Sequence, residues 1–138
     1  IYIIFNNYNI IMTNFNNIFK KIIYIKKEFP NQPPEDDDGN KEYKWKLSPK
    51  NFKDVSMKKE KLASQMKYRL YEGNGKAIYL IGVTDSGISV GLSQNELYLS
   101  LEFLNSVANI INTNIDKIRL YKKGHNFIAT LRLSNQEL

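Results

Sequence analysis

The chain has 138 residues, a formal net charge of +6 and 42% hydrophobic residues, which is room for one domain that can bury a core without staples, plus a tail. It has no cysteine and a single histidine, His125, so disulfides, thiolate metal sites and a histidine-cluster metal centre are excluded. The positive charge fits a polyanionic partner, RNA being the obvious one; a chain heavy in Asn, Ile, Lys and Tyr, as AT-rich coding produces, accounts for the lysines without any ligand.

Residues 1–32 are low in complexity. In IYIIFNNYNIIMTNFNNIFKKIIYI asparagines interrupt every apolar run, and none approaches the ~18–20 apolar residues of a membrane span. The start is apolar rather than basic and no A-x-A-like site follows, so a signal peptide is not expected. The chain does not begin with methionine. The segment is expected to be disordered or to come from a faulty gene model with Met12 as the true start. The competing reading is a basic amphipathic helix on a membrane surface, from Phe15, Ile18, Phe19, Ile22 and Ile23 with Lys20, Lys21, Lys26 and Lys27. No membrane partner is expected. Residues 33–42 read as an acidic linker: Pro30, Pro33 and Pro34 oppose a helix, and Glu35-Asp36-Asp37-Asp38-Gly39 makes a solvated loop that lacks calcium-loop spacing.

Residues 43–134 carry the folded pattern. Tyr43–Leu47 alternates, with Tyr43, Trp45 and Leu47 expected on a buried face and Lys44 and Lys46 on a wet one. Trp45 reads as core, with base stacking as the alternative. Leu62, Met66 and Leu70 share a face of a helix over Lys58–Glu72, which Gly73 is expected to end by adopting a left-handed cap. Ala77–Val83 is a strand, Asp85-Ser86-Gly87 a turn, and Ile88–Leu92 its expected partner strand. Ser93 and Glu96 form a capping box ahead of Leu97, Leu101, Leu104, Ala108 and Ile111. Asp116–Lys122 and Phe127–Leu133 are two further strands around a Lys123–Asn126 turn; residues 135–138 are a tail. The fold class is α+β: an antiparallel sheet with two helices on one face, in split βαβ, ferredoxin-like order, plus an extra C-terminal strand.

Chemistry is sparse. Gly73-Asn74-Gly75-Lys76 fails as a P-loop because Leu70 stands where the first glycine belongs and Ala77 replaces the Ser/Thr. Gly82–Ser89 has the glycine spacing, but Ile88 stands in place of the phosphate-neutralising lysine and no helix opens directly after it, so it reads as a hairpin turn. No nucleophile–base set has a frame, His125 reads as an exposed turn residue and Asp85 as a turn carboxylate. No catalytic residue, metal or cofactor is expected in this chain. The candidate RNA contacts are Lys44, Lys46, Lys58, Lys59, Lys67, Arg69, Lys117, Arg119 and Arg132, with the helical set Lys58, Lys59, Lys61, Lys67 and Arg69 the densest; each also reads as a solvated face.

Three blocks in order carry a resemblance. PPEDDDGNKEYKWKL (Pro33–Leu47), SQMKYRLYEGNGKAIYLIGVTDSGISVGL (Ser64–Leu92) and SQNELYLSLEFLNSVANII (Ser93–Ile111) resemble the segment that precedes the GTPase domain in the GTP-binding protein one/two family, relatives of elongation factor Tu and elongation factor one-alpha. The resemblance implies a non-catalytic accessory domain of a cytoplasmic translational GTPase, acting in elongation or ribosome rescue. It implies a downstream GTPase domain as partner, with GTP and magnesium held there, and tRNA, the ribosome or mRNA as further partners. The alternative is a freestanding basic RNA-binding α+β module.

Overall fold

The computed structural model describes residues 20–135. The elements run β1 (Ile22–Glu28), β2 (Lys41–Lys44), a 3-10 turn (Pro49–Asn51), α1 (Val55–Glu72), β3 (Lys76–Ile81), α2 (Gln94–Ile110), β4 (Thr113–Lys123) and β5 (Asn126–Asn135). The sheet order is β1-β4-β5-β3-β2. β1 is parallel to β4 and β2 to β3, while β5 is antiparallel to both β3 and β4. Only β5 therefore opposes the common strand direction, and the sheet is mixed rather than antiparallel.

The ferredoxin-like order is not met: β1 is an additional edge strand, β2 lies directly beside β3, and the expected hairpin partner of β3 is missing. Ile88–Leu92 does not return along β3. It makes single bridges, Val83 to Ser89 and Leu92 to Phe127. Gly82, Gly87 and Gly91 all hold positive φ (97°, 93° and 81°), which breaks the extended backbone a strand needs. The place beside β3 goes to β5, which pairs with it continuously from Lys76–Ser134 to Ile81–Ala129. A split βαβ is still present, made of β3, α2 and β4 with β5 between the two parallel strands.

Both helices cover one face. Leu62, Met66 and Leu70 of α1 and Leu97, Leu101, Leu104 and Ala108 of α2 join Tyr79, Ile81, Ile118, Leu120, Leu131 and Leu133 in one buried cluster. α1 begins at Val55, ahead of the expected Lys58, because Asp54 caps it: its carboxylate accepts from the Met57 amide at 3.0 Å. Gly73 is not left-handed, with φ −102°. Its smallness matters for another reason: a Cβ there would lie 1.8 Å from the Lys76 carbonyl oxygen. The left-handed residues are Asn74 and Gly75. Ser93 caps α2, its hydroxyl accepting from the Glu96 amide at 3.3 Å. The Glu96 carboxylate accepts from that hydroxyl and from Lys46 instead of reaching back to the backbone, so the box is half closed.

The opposite face holds a smaller cluster of Phe29, Tyr43, Leu80, Val83 and Ile128. A strap, residues 29–35, crosses it. The strap is bonded along its length: Phe29 N–H to Lys122 (2.9 Å), Gln32 N–H to Gly87 (2.8 Å), Glu35 N–H to Asp85 (2.8 Å) and the Ser89 hydroxyl to the Pro30 carbonyl (2.8 Å). Residues 22–32 thus have defined structure within the segment expected to be disordered, and 22–28 are a strand rather than the end of an amphipathic helix. The rest of that helix and Met12 lie outside the described residues.

The strand reading of Tyr43–Leu47 also needs correction. β2 ends at Lys44 and the chain bends at Trp45. Tyr43 therefore joins the strap-side cluster and Leu47 the helix-side one. Trp45 is left 47% exposed, with the Lys46 ammonium 4.7 Å from its ring centroid. Among the described residues no helix is long and apolar enough to cross a membrane.

Candidate nucleic-acid interface

Strand alternation decides which cations can meet. In β4, Ile118 and Leu120 point to the helices, so Lys117 and Arg119 point to the open face. In β5, Leu131 and Leu133 are helix-side, which places Arg132 beside them on the open face. The register then aligns Lys117 with Arg132, Arg132 with Ile78, and Ile78 with Lys41. One row across four strands therefore reads Lys41–Ile78–Arg132–Lys117, with Arg119 two residues along β4. These side chains rim a basin of about 270 Å³ whose floor includes Ile78, Leu80 and Tyr121. Phe29 closes one end, its ring 4.9 Å from that of Tyr121.

Lys41, Lys117 and Arg119 make no ion pair among the described residues. Arg132 does: its Nε donates to Asp116 Oδ1 at 2.9 Å, while the Ser134 hydroxyl donates to Oδ2 at 2.7 Å. Burial pushes the Asp116 carboxyl up, but the hydrogen bonds from Arg132 and Ser134, with the charges of Arg132 and Lys21, outweigh it and leave it below the ordinary aspartate value. Asp116 faces this way because the register shifts between Ile115 and Lys117, a bulge that sets an extra residue against β5.

The other sequence candidates scatter. Arg69 is not a surface cation. It is 4% exposed, pairs with Glu42 at 2.9 Å, and donates to the carbonyls of Asp36 (2.9 Å), Asp38 (3.0 Å) and Gly39 (2.9 Å). It folds the acidic loop onto α1 and has no donor left for phosphate. Helical periodicity marks Leu62, Met66 and Leu70 as buried but does not reveal that the neighbouring position 69 also turns inward. Lys44 pairs with Glu42 and Gln65, and Lys46 with Glu96. Lys58 and Lys59 lie over the rings of Phe52 and Phe103, and the Lys58 ammonium is pushed down by partial burial and by the charges of Lys44 and Lys61. Lys67 is exposed on α1. Lys41 was missed, since it follows the acidic run; it shares its strand face with buried Tyr43, so local alternation gave no signal for it.

The Gly82–Ser89 turn is closed by its own backbone hydrogen bonds. Thr84 N–H bonds the Ile88 carbonyl at 3.0 Å and Gly87 N–H the Thr84 carbonyl at 2.9 Å, closing a tight hairpin. The strap lies directly against it: a Cβ on Gly87 would be 2.0 Å from the Gln32 carbonyl oxygen. The helix begins only at Gln94. Asp85 and His125 are exposed turn residues.

The chain is similar to GTP-binding protein 2. It is 44% identical to the mouse and human proteins over 91 residues, which are 65% of this chain and 14% of each relative. It is also 31% identical over 107 residues to the uncharacterized protein R625 of Acanthamoeba polyphaga mimivirus, covering 77% of this chain and 55% of that one. The chain thus spans about one seventh of the length of the GTP-binding relatives and about half of the viral one. No family model and no solved structure matches. The similarity is thus to a small part of GTP-binding protein 2.

Proposed function

We propose that this chain is a non-catalytic accessory domain of a translational GTPase of the elongation factor Tu-like type, placed ahead of the GTPase domain and acting in the cytoplasm in elongation or ribosome rescue. The observation that carries the reading is the 44% identity over 91 residues to a small part of GTP-binding protein 2. A segment that small within a GTP-binding protein need not contain the nucleotide site. The closed turn at Gly82–Ser89 favours the same division of labour, because a phosphate loop must present open backbone amides at a helix start. GTP and magnesium would then be held by another part of the protein, and this domain would position that part or help it engage tRNA, mRNA or the ribosome. Reading the transcript in frame beyond Leu138 tests the proposal. A G-x-x-x-x-G-K-S/T motif within roughly a hundred residues, the P-loop pattern, is expected; a reading frame that continues without one counts against it. A freestanding RNA-binding module is the second reading, favoured by the cation row on the open sheet face.

A further inference from the structure

We infer that the half of the open sheet face left uncovered by the described residues is a binding site for single-stranded RNA, contacted through Lys41, Lys117 and Arg119. The inference goes beyond the GTPase-accessory reading and does not require a GTPase domain to follow. The two helices cover one face of the sheet, and among the described residues the strap covers only the end of the other. The remaining surface brings cations from three separate strands to one basin. Adjacent strands lie about 4.8 Å apart, so the row from Lys41 to Lys117 spans roughly 14 Å, and Arg119 sits about 7 Å further along β4. That spread suits several phosphates of one strand better than a single anion.

Charge and shape exclude the smaller ligand. A small-molecule pocket is concave and mostly apolar and encloses most of its ligand. This basin is shallow, about 270 Å³, and lined by lysine and arginine around Ile78, Leu80 and Tyr121. Such a combination follows a backbone with cations and offers an apolar floor to splayed bases and ribose. Its carboxylate, Asp116, is already bonded to Arg132 and Ser134, so it holds Arg132 in reserve rather than cancelling the whole row.

The test uses the full chain and a fluorescently labelled single-stranded RNA of mixed sequence, with anisotropy read across a potassium chloride series. Three phosphate contacts give a slope of log K against log salt near −2, from about −0.7 per contact, so affinity should fall roughly fifteenfold between 50 and 200 mM. The triple variant Lys41→Gln/Lys117→Gln/Arg119→Gln should lose at least tenfold in affinity at 50 mM and most of the slope. Asp116→Asn releases Arg132 and should bind severalfold tighter with a steeper slope, a gain that a general loss of structure does not mimic. Lys58→Gln/Lys59→Gln/Lys67→Gln, which removes the same charge from α1, should stay within twofold of the wild type. Absence of binding at 50 mM, equal losses in the two triple variants, or equal binding of an acidic peptide of matched charge would each overturn the inference. The last result would assign the face to an acidic protein segment instead.

Discussion

Replacing Arg69 by Met should destabilise the fold far more than removing any other basic side chain. The guanidinium and the Glu42 carboxylate are each 5% exposed and sit 2.9 Å apart. Breaking such a pair outright costs about 3–5 kcal/mol; here the Lys44 ammonium, 3.3 Å from Glu42 Oε1, stays as a partial counter-charge, which puts the loss at the lower end, about 3 kcal/mol. The carbonyls of Asp36, Asp38 and Gly39 lose their donor as well, but that loop is exposed and water can replace it. With a urea m-value of about 2 kcal/mol per molar, the midpoint should fall by roughly 1.5 M. Arg69→Lys should recover only part, because an ammonium cannot serve the carboxylate and the diverging carbonyls together. The double variant Arg69→Met/Glu42→Met should regain about 2 kcal/mol or more over the single one, since removing both partners removes the buried charge. A loss below about 1 kcal/mol for the single variant, or a double variant no better than it, would refute the reasoning that Arg69 is a structural clamp.

Other perturbations have defined outcomes. The Tyr79 hydroxyl is buried without a hydrogen-bond partner among the described residues, and burial, with the Glu42 charge, pushes the phenol up. Tyr79→Phe should therefore be neutral or stabilising by up to about 1 kcal/mol in urea titration, where a buried tyrosine with a good partner would lose by that change. Gly87→Ala should unfold the hairpin and strap together, since the position has φ +93° and the Gln32 carbonyl fills the space; hydrogen exchange at the Gln32 and Glu35 amides reads it. Glu35 is held above the ordinary value of 4.5 by burial, and by the Glu42 and Asp85 charges, against the lowering bond from the Tyr43 amide. Its neutral form therefore contributes stability that is complete below pH 4.5 and lost as pH rises through the folded pKa. Glu35→Gln should flatten that fall, gaining on the wild type between pH 4.5 and pH 7; a constant offset across the range would contradict it.

Periodicity carried most of the secondary structure. The stripes Leu62–Met66–Leu70 and Leu97–Leu101–Leu104 lie where a 3.6-residue repeat places them, and the β4 and β5 alternations pick out the helix-side residues, though Ile128 on the other face is buried as well. Pairing was less legible. Whether Ile88–Leu92 or β5 neighbours β3 depends on long-range register, and the positive φ at Gly82 and Gly91 keeps the short hairpin turn from extending into a paired strand. The parallel edge strand β1 was hidden because Ile22–Glu28 reads equally as a helical stripe; its pairing with β4, a hundred residues away in sequence, selects the strand. Of the site, Lys117, Arg119 and Arg132 were visible as strand cations, but only the register unites them with Lys41. Arg69 was misread because a buried guanidinium looks like any helical basic residue until Glu42 and the acidic-loop carbonyls are brought to it.

We propose that these residues hold no GTP site, the Gly82–Ser89 turn being closed by its own hydrogen bonds and the strap. The most direct measurement is calorimetric titration of the full chain with GTP in the presence of magnesium. No saturable heat up to millimolar nucleotide is predicted, a weakness corresponding to less than about 4 kcal/mol of binding free energy. Saturable micromolar binding that is lost on Gly87→Ala or Ile88→Asp would contradict the account.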